Sequence, residues 1–261
     1  MPTHRRVWNA DIHKKYVREG RGRGCGVGYT PWVRIQDFAS RGVVSRVKGM
    51  TTGRVHHLMS NNELAYFYIL DWSDNVTDIR EQYPLSDLES AVKIAAQAGI
   101  SYPTDRTSRY PYVLTCDFMI TTSDGYKART IKASSELGDS RVIEKFEIER
   151  RYWLEQGVDW KIVTEHEISY QKAKNIEWLY TAKNIDMAAP ISISQIKAQD
   201  MIRQLLMIKA FSIREAALMA EREFMLAKGM GLQLFKQLVL NKEITLNLNY
   251  PLDLNTGVAA E

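Results

Sequence analysis

Hydrophobic and polar positions begin to alternate regularly after residue 60. Ser60-Asn61-Asn62-Glu63, followed by Leu64, Phe67 and Tyr68, predicts a helix capped at Ser60. Ile79 to Leu85 runs into a break at Pro84, Leu88 to Ala98 predicts a second helix, and Tyr102 to Arg109 is a polar loop. Tyr112 to Thr121 predicts a strand, Ser123-Asp124-Gly125 a turn, and Tyr126 to Ala133 its hairpin partner. A long helix over Asp139 to Gln156, a strand over Asp159 to Thr164 and a short helix over Asn175 to Tyr180 follow. This order predicts an α/β fold, a small mixed sheet flanked by helices.

The pattern resets near Met187-Ala188-Ala189-Pro190, a candidate linker. Beyond it, three helices are predicted over about 193–208, 212–227 and 231–240, the second opened by the capping box of Ser212 and Glu215. Ile244 to Leu248 then alternates as a strand. Three helices closed by a strand predict a winged-helix-like domain. The expected domains are therefore 1–187, of which about 1–50 form an arm, and 188–261.

Composition narrows the class. The chain has 261 residues, 45% hydrophobic and 25% charged, the profile of a globular protein large enough to need no disulfides. Only Cys25 and Cys116 are present, there is no run of about 18 apolar residues, and the first twenty residues lack a signal peptide's apolar stretch. A cytoplasmic protein with no membrane contact is expected. Residues 1–60 hold twelve Lys/Arg against three Asp/Glu, a charge of +9, whereas 61–187 carry −6 and 188–261 only +1. The basic segment contains Gly20, Gly22, Gly24, Gly26 and Gly28 interleaved with Arg21 and Arg23. With Arg18, it is expected to form a DNA-backbone arm, the alternative being a solvated linker. Both are favoured over a dinucleotide fingerprint, because charged residues and not a strand precede the glycines.

The hairpin places candidate chemistry. With Asp124-Gly125 as a two-residue loop, Asp117 falls directly across from Lys132 and Met119 across from Thr130, with Cβ atoms about 5 Å apart. Leu114, Cys116, Phe118, Ile120 and Ile131 would form the core face, and Asp117 and Lys132 would emerge on the other. An exposed salt bridge is the ordinary alternative. Glu149 lies on the apolar stripe of its helix with Val142, Phe146 and Trp153, where a carboxylate requires a partner or a cation. Glu63 is in the first turn of its helix, where Ser60 and Glu63 also satisfy a capping box. Cys116 is expected to be a buried thiol, and the adjacent His56 and His57 to touch phosphate or pack and not to share a metal.

Several segments together resemble the TnsA family, the endonuclease subunits of heteromeric transposases. They are Thr52 to Leu58, Asn62-Glu63-Leu64-Ala65, Asp78-Ile79-Arg80-Glu81-Gln82-Tyr83-Pro84-Leu85, Glu147 to Trp153, and Asn175 to Tyr180. The resemblance implies a restriction-endonuclease-like catalytic domain that holds Mg²⁺, with room for two ions and with Mn²⁺ able to substitute. It implies Glu63 and Asp117 as metal ligands, the Ile131 carbonyl as a further one, and Lys132 as the residue that orients the attacking water. Glu149 matches a family carboxylate that is also a candidate ligand. Thr130 stands in a catalytic position where the family pattern has Gln, and its hydroxyl keeps an acceptor oxygen with shorter reach. Arg54 and His56 join Arg18, Arg21 and Arg23 as candidate DNA contacts. The implied function is cutting the 5′ ends of a transposon in bacteria, on nucleoid DNA. The implied partners are a DDE-type, TnsB-like transposase and, through the C-terminal domain, an AAA+ TnsC-like ATPase. A non-catalytic DNA-binding adaptor and a stand-alone restriction-type nuclease are the rivals.

Overall fold

In the computed structural model, which describes residues 7–37, 43–184 and 192–258, polar side chains open the helices as their sequences dictate. Asn9 accepts the Ile12 amide to start α1 (Ala10–Arg18). A short hairpin of β1 (Ser45–Lys48) and β2 (Val55–Leu58) follows. Ser60 accepts the Glu63 amide to start α2 (Asn61–Trp72), and Asp87 caps α3 (Leu88–Gln97) after β3 (Val76–Pro84). The hairpin of β4 (Thr115–Thr122) and β5 (Gly125–Ile131) leads to α4 (Ser140–Glu155), capped by Asp139, and to β6 (Asp159–Val163). The sheet order is β3-β4-β5-β6, antiparallel except for the β5/β6 pair, whose strands α4 connects. The predicted mixed sheet flanked by helices is therefore present.

Both sheet faces are covered, which changes the expected alternation. Leu85, Ala91, Ile94, Cys116, Met119, Ala128, Ile148 and Trp153 form one cluster, which joins α3 and α4 to β4 and β5. On α2, Tyr66 meets Phe118 and Phe67 meets His56. Met119 is thus as buried as Phe118, and the Asp117 side of the hairpin is not an open face.

The register also differs from the expected one. Thr122 pairs with Gly125 and Phe118 with Arg129, so the loop is Ser123-Asp124 and the ladder is offset by two residues. Gly125 has φ +110°, a conformation other residues rarely adopt, and it takes the first strand position instead of the loop. Continuing this register sets Thr130, not Lys132, across from Asp117. The slip is even, so Asp117, Thr130 and Lys132 keep a common face.

The predicted arm is likewise corrected for its described part. Gly20, Gly22, Gly24 and Gly26 all have positive φ and fold the chain into a turn closed by the Arg23/Thr30 bridge. A Cβ on Gly22 would sit 2.4 Å from the Pro84 ring, so the turn rests directly on the end of β3. Tyr29 and Trp32 are buried, the Gly26 amide donates to Asp78, and the Tyr29 hydroxyl donates to the Glu81 carbonyl.

The chain divides into two compact units at Ile168/Ser169, earlier than the expected 187/188 boundary, and the candidate linker Met187 to Pro190 lies outside the described residues. The second unit begins with α5 (Tyr170–Tyr180), longer than the predicted helix, with Ala173, Ile176 and Leu179 buried. It continues with α6 (Ile193–Met207), α7 (Ile213–Glu223), whose Ser212/Glu215 capping box is formed, and α8 (Met230–Leu240). The predicted strand over Ile244 to Leu248 is absent, and no strand occurs among the described residues of this unit. Ile244 and Leu248 are nevertheless buried. The Asn175 amide donates to both the Leu248 and Tyr250 carbonyls, at 2.8 Å each, which satisfies backbone a strand partner would otherwise serve. No helix among the described residues is long and apolar enough to cross a membrane.

Candidate active site

The first turn of α2 and the strands β3, β4 and β5 bring the candidate residues together. Glu63 is buried, with Oε1 accepting from the Ser60 hydroxyl at 3.0 Å and Oε2 from the Met59 amide at 2.9 Å. Asp117 Oδ2 accepts from the Ile131 amide at 2.6 Å, and Oδ1 accepts from Gln82 Nε2 at 3.2 Å. Every one of these donors is neutral. Burial, and then the negative charge of Asp117, push the Glu63 carboxyl well above its ordinary range, against the pull of the Met59 and Ser60 donors. Burial raises Asp117 too, opposed by the Ile131 and Gln82 hydrogen bonds and by the Lys132 charge.

A buried and a half-buried carboxylate acting on each other, with no charged hydrogen-bond donor to balance them, fit a hard divalent cation. The donors are all oxygen, as Mg²⁺ and Mn²⁺ prefer. Among the described residues, no three His, Cys, Asp or Glu side chains converge as a ready-made cage. The remaining ligands would have to be the Ile131 carbonyl, water or a substrate phosphate.

Glu149 has a different setting. Thr130 Oγ1 donates to Glu149 Oε2 at 2.6 Å, and Trp160 Nε1 lies 3.3 Å from the same oxygen and 3.2 Å from the Thr130 hydroxyl. Burial pushes Glu149 up to about 8, with Asp117 adding to the rise and the Thr130 and Trp160 bonds opposing it. The partner that its place on the apolar stripe demanded is therefore Thr130. Lys132 Nζ pairs with Glu136 at 2.6 Å and is only partly exposed. Cys116 is a buried free thiol on the core side, as expected.

Three of the five candidate DNA contacts are corrected. Arg54 pairs with both oxygens of the fully buried Glu81, at 2.8 Å to Oε1, and donates to the Ile79 carbonyl. His56 Nδ1 lies 2.8 Å from the same carboxylate, the His57 amide donates to it, and His56 Nε2 meets the Thr52 hydroxyl. Burial alone would raise Glu81, but the hydrogen bonds and charges of Arg54 and His56 hold it down to about 2. Arg21 is buried over the Tyr16 ring at 3.5 Å and pairs with Asp37. Only Arg18 and Arg23 remain exposed. Removing one partner of a buried ion pair strands the other, so Arg54→Ala is expected to lose about 3–5 kcal/mol of stability. Denaturant unfolding measures that loss. A variant of normal stability whose DNA affinity falls with a flatter salt dependence would return Arg54 to the phosphate surface.

Two functional-site neighbours escaped the sequence reading, Glu81 and Gln82. The available signal was the run Arg80-Glu81-Gln82 between the apolar Ile79 and Tyr83, since buried polar residues in a strand demand partners.

The family model described as TnsA-like endonuclease N terminal matches residues 73–165, and that described as TnsA endonuclease C terminal matches residues 167–248. The two meet close to the junction of the compact units. The first contains Asp117, Thr130, Lys132 and Glu149, and Glu63 precedes it. The chain is also 40% identical over 178 residues to the transposon Tn7 transposition protein TnsA of Escherichia coli, a match covering 67% of this chain and 64% of that relative. On these matches, spanning the mixed sheet and the helical unit alike, the chain belongs to the TnsA endonuclease family.

Proposed function

We propose that the chain is the DNA endonuclease subunit of a Tn7-type transposase and hydrolyses one phosphodiester at each 5′ end of the element with the help of Mg²⁺. The observation that carries this reading is the pair of carboxylates, the buried Glu63 and the half-buried Asp117, hydrogen-bonded only to neutral donors, with the Lys132 charge acting on Asp117. Glu63, Asp117 and the Ile131 carbonyl would hold the ion, which supplies charge neutralisation and lowers the pKa of bound water. Asp117 is kept in one orientation by the Ile131 amide and the Gln82 side chain. Lys132 exchanges its surface partner Glu136 for the scissile phosphate or the attacking water, a small cost because exposed ion pairs are worth about 0–1 kcal/mol. Thr130, engaged with Glu149, fixes α4 against β5 beside the reacting group. Arg18 and Arg23 offer phosphate contacts next to the glycine turn.

The partner set is a TnsB-like transposase that cuts the 3′ ends and a TnsC-like AAA+ ATPase that meets the second unit. The test uses strand-specific labels on transposon ends, with and without the transposase and Mg²⁺. The 5′ strand should be cut only when this chain, its partner and Mg²⁺ are all present. Cutting of plain DNA without the partner would favour a stand-alone nuclease, and uncut 5′ strands in a complete mixture would favour an adaptor.

A further inference from the structure

We propose that Gln82 is a positioning residue for Asp117, an inference that rests on the nuclease reading of this site. Gln82 lies between the Glu81/Phe118 and Tyr83/Cys116 pairs of the β3/β4 ladder, yet its φ is +49°, in the left-handed region that non-glycine residues rarely occupy. Its neighbours enforce this conformation. The Glu81 carboxylate is held by Arg54, His56 and the His57 amide, the Glu81 carbonyl by the Tyr29 hydroxyl, and the Gln82 carbonyl by the Trp32 amide at 3.3 Å. A strained residue persists where its surroundings over-determine it, and such residues cluster at functional sites.

The strained conformation delivers a specific hydrogen bond. Gln82 Nε2 donates to Asp117 Oδ1, and Gln82 Oε1 accepts from the Thr115 hydroxyl at 3.3 Å. Chemistry fixes this amide orientation, because an ionised carboxylate accepts and a hydroxyl can donate. With the Ile131 amide on Oδ2, both oxygens of Asp117 are oriented before any cation arrives. The buried network of Glu81, Arg54 and His56 thereby acquires a purpose, since it holds the backbone that aims Gln82.

The test separates the amide from the strain, using the full chain and Mn²⁺ alone as probe, with free Mn²⁺ counted by electron paramagnetic resonance. Gln82→Met keeps the bulk and removes the donor. Gln82→Gly also removes the donor and relieves the backbone, since glycine adopts φ +49° freely. Both should bind Mn²⁺ about 10-fold to 100-fold more weakly, the usual effect of losing a group that orients a ligand. Single-turnover cleavage with the partner transposase should fall with unchanged DNA affinity, and Gln82→Gly should melt at or above the parent temperature. A purely structural residue predicts the reverse, with Gln82→Met melting low and Gln82→Gly normal in Mn²⁺ binding and cleavage. That pattern overturns the proposal. If Asp117→Asn loses Mn²⁺ and cleavage while both Gln82 variants keep them, only this inference fails. If Asp117→Asn keeps both properties, the reading of the site fails with it.

Discussion

Asp117→Asn is expected to reduce 5′-strand cleavage by on the order of 10³-fold, because several kcal/mol of charge stabilisation depend on this carboxylate and each 1.4 kcal/mol or so is tenfold in rate. The fold should survive. An amide oxygen can still accept the Ile131 amide on one side, and the Gln82 side chain can turn to meet the new donor on the other. The charge that disappears is also one the metal-free protein buries at a cost, as its raised pKa shows. Lys132→Ala should show the same cleavage defect for a different reason, loss of the positive charge beside the reacting phosphate. Neither change should touch 3′-strand cutting, which the proposed partner performs in a separate active site. Strand-specific end labels read both cuts in one reaction. Loss of both cuts by a variant that folds and assembles would move Asp117 from chemistry to assembly.

How far the sequence revealed this site depends on whether the determining contact is local. Ser60 and Ser212 cap their helices through amides three residues on, and both were legible. The hairpin register was missed because Gly125 serves as the first strand residue and not as part of the loop, yet the even slip preserved the face carrying Asp117, Thr130 and Lys132. Charge in the first sixty residues was read as solvent-facing, and for Arg21 and Arg54 that was wrong. Their partners Asp37 and Glu81 lie 16 and 27 residues away, and no local pattern announces such a pair. Alternation at Ile244 to Leu248 correctly reported burial but not a strand: the Ile244 amide donates to the Leu238 carbonyl and the Leu248 carbonyl accepts from the Asn175 side chain, neither of which is a strand partner. Glu149 was legible as a buried carboxylate in need of a partner, but its partner Thr130 became visible only once β5 and α4 were placed together.

Glu63 presents two readings that one substitution separates. Its oxygens serve the first turn of α2, accepting from the Ser60 hydroxyl and the Met59 amide, so helix capping alone could account for it. In Glu63→Gln one oxygen remains and one acceptor becomes a donor, so about 1 kcal/mol of hydrogen bonding is at stake. Against this stands the relief of charge. The folded carboxyl titrates above its ordinary range, so its contribution to stability is complete below the unfolded pKa and is lost as pH rises through the folded value. Glutamine suffers no such loss. The metal-free variant should therefore melt slightly below the parent at mildly acid pH and draw level or pass it at alkaline pH. Cleavage should move the other way, down by at least about 10²-fold, because an amide oxygen lacks the charge that a divalent cation requires and each 1.4 kcal/mol or so withdrawn from the transition state is tenfold in rate. Melting curves across pH and single-turnover cleavage at limiting Mg²⁺, measured on the same preparation, give both quantities. Near-normal cleavage would leave Glu63 as a cap for α2 and require the ion to be held by Asp117 and the Ile131 carbonyl without it.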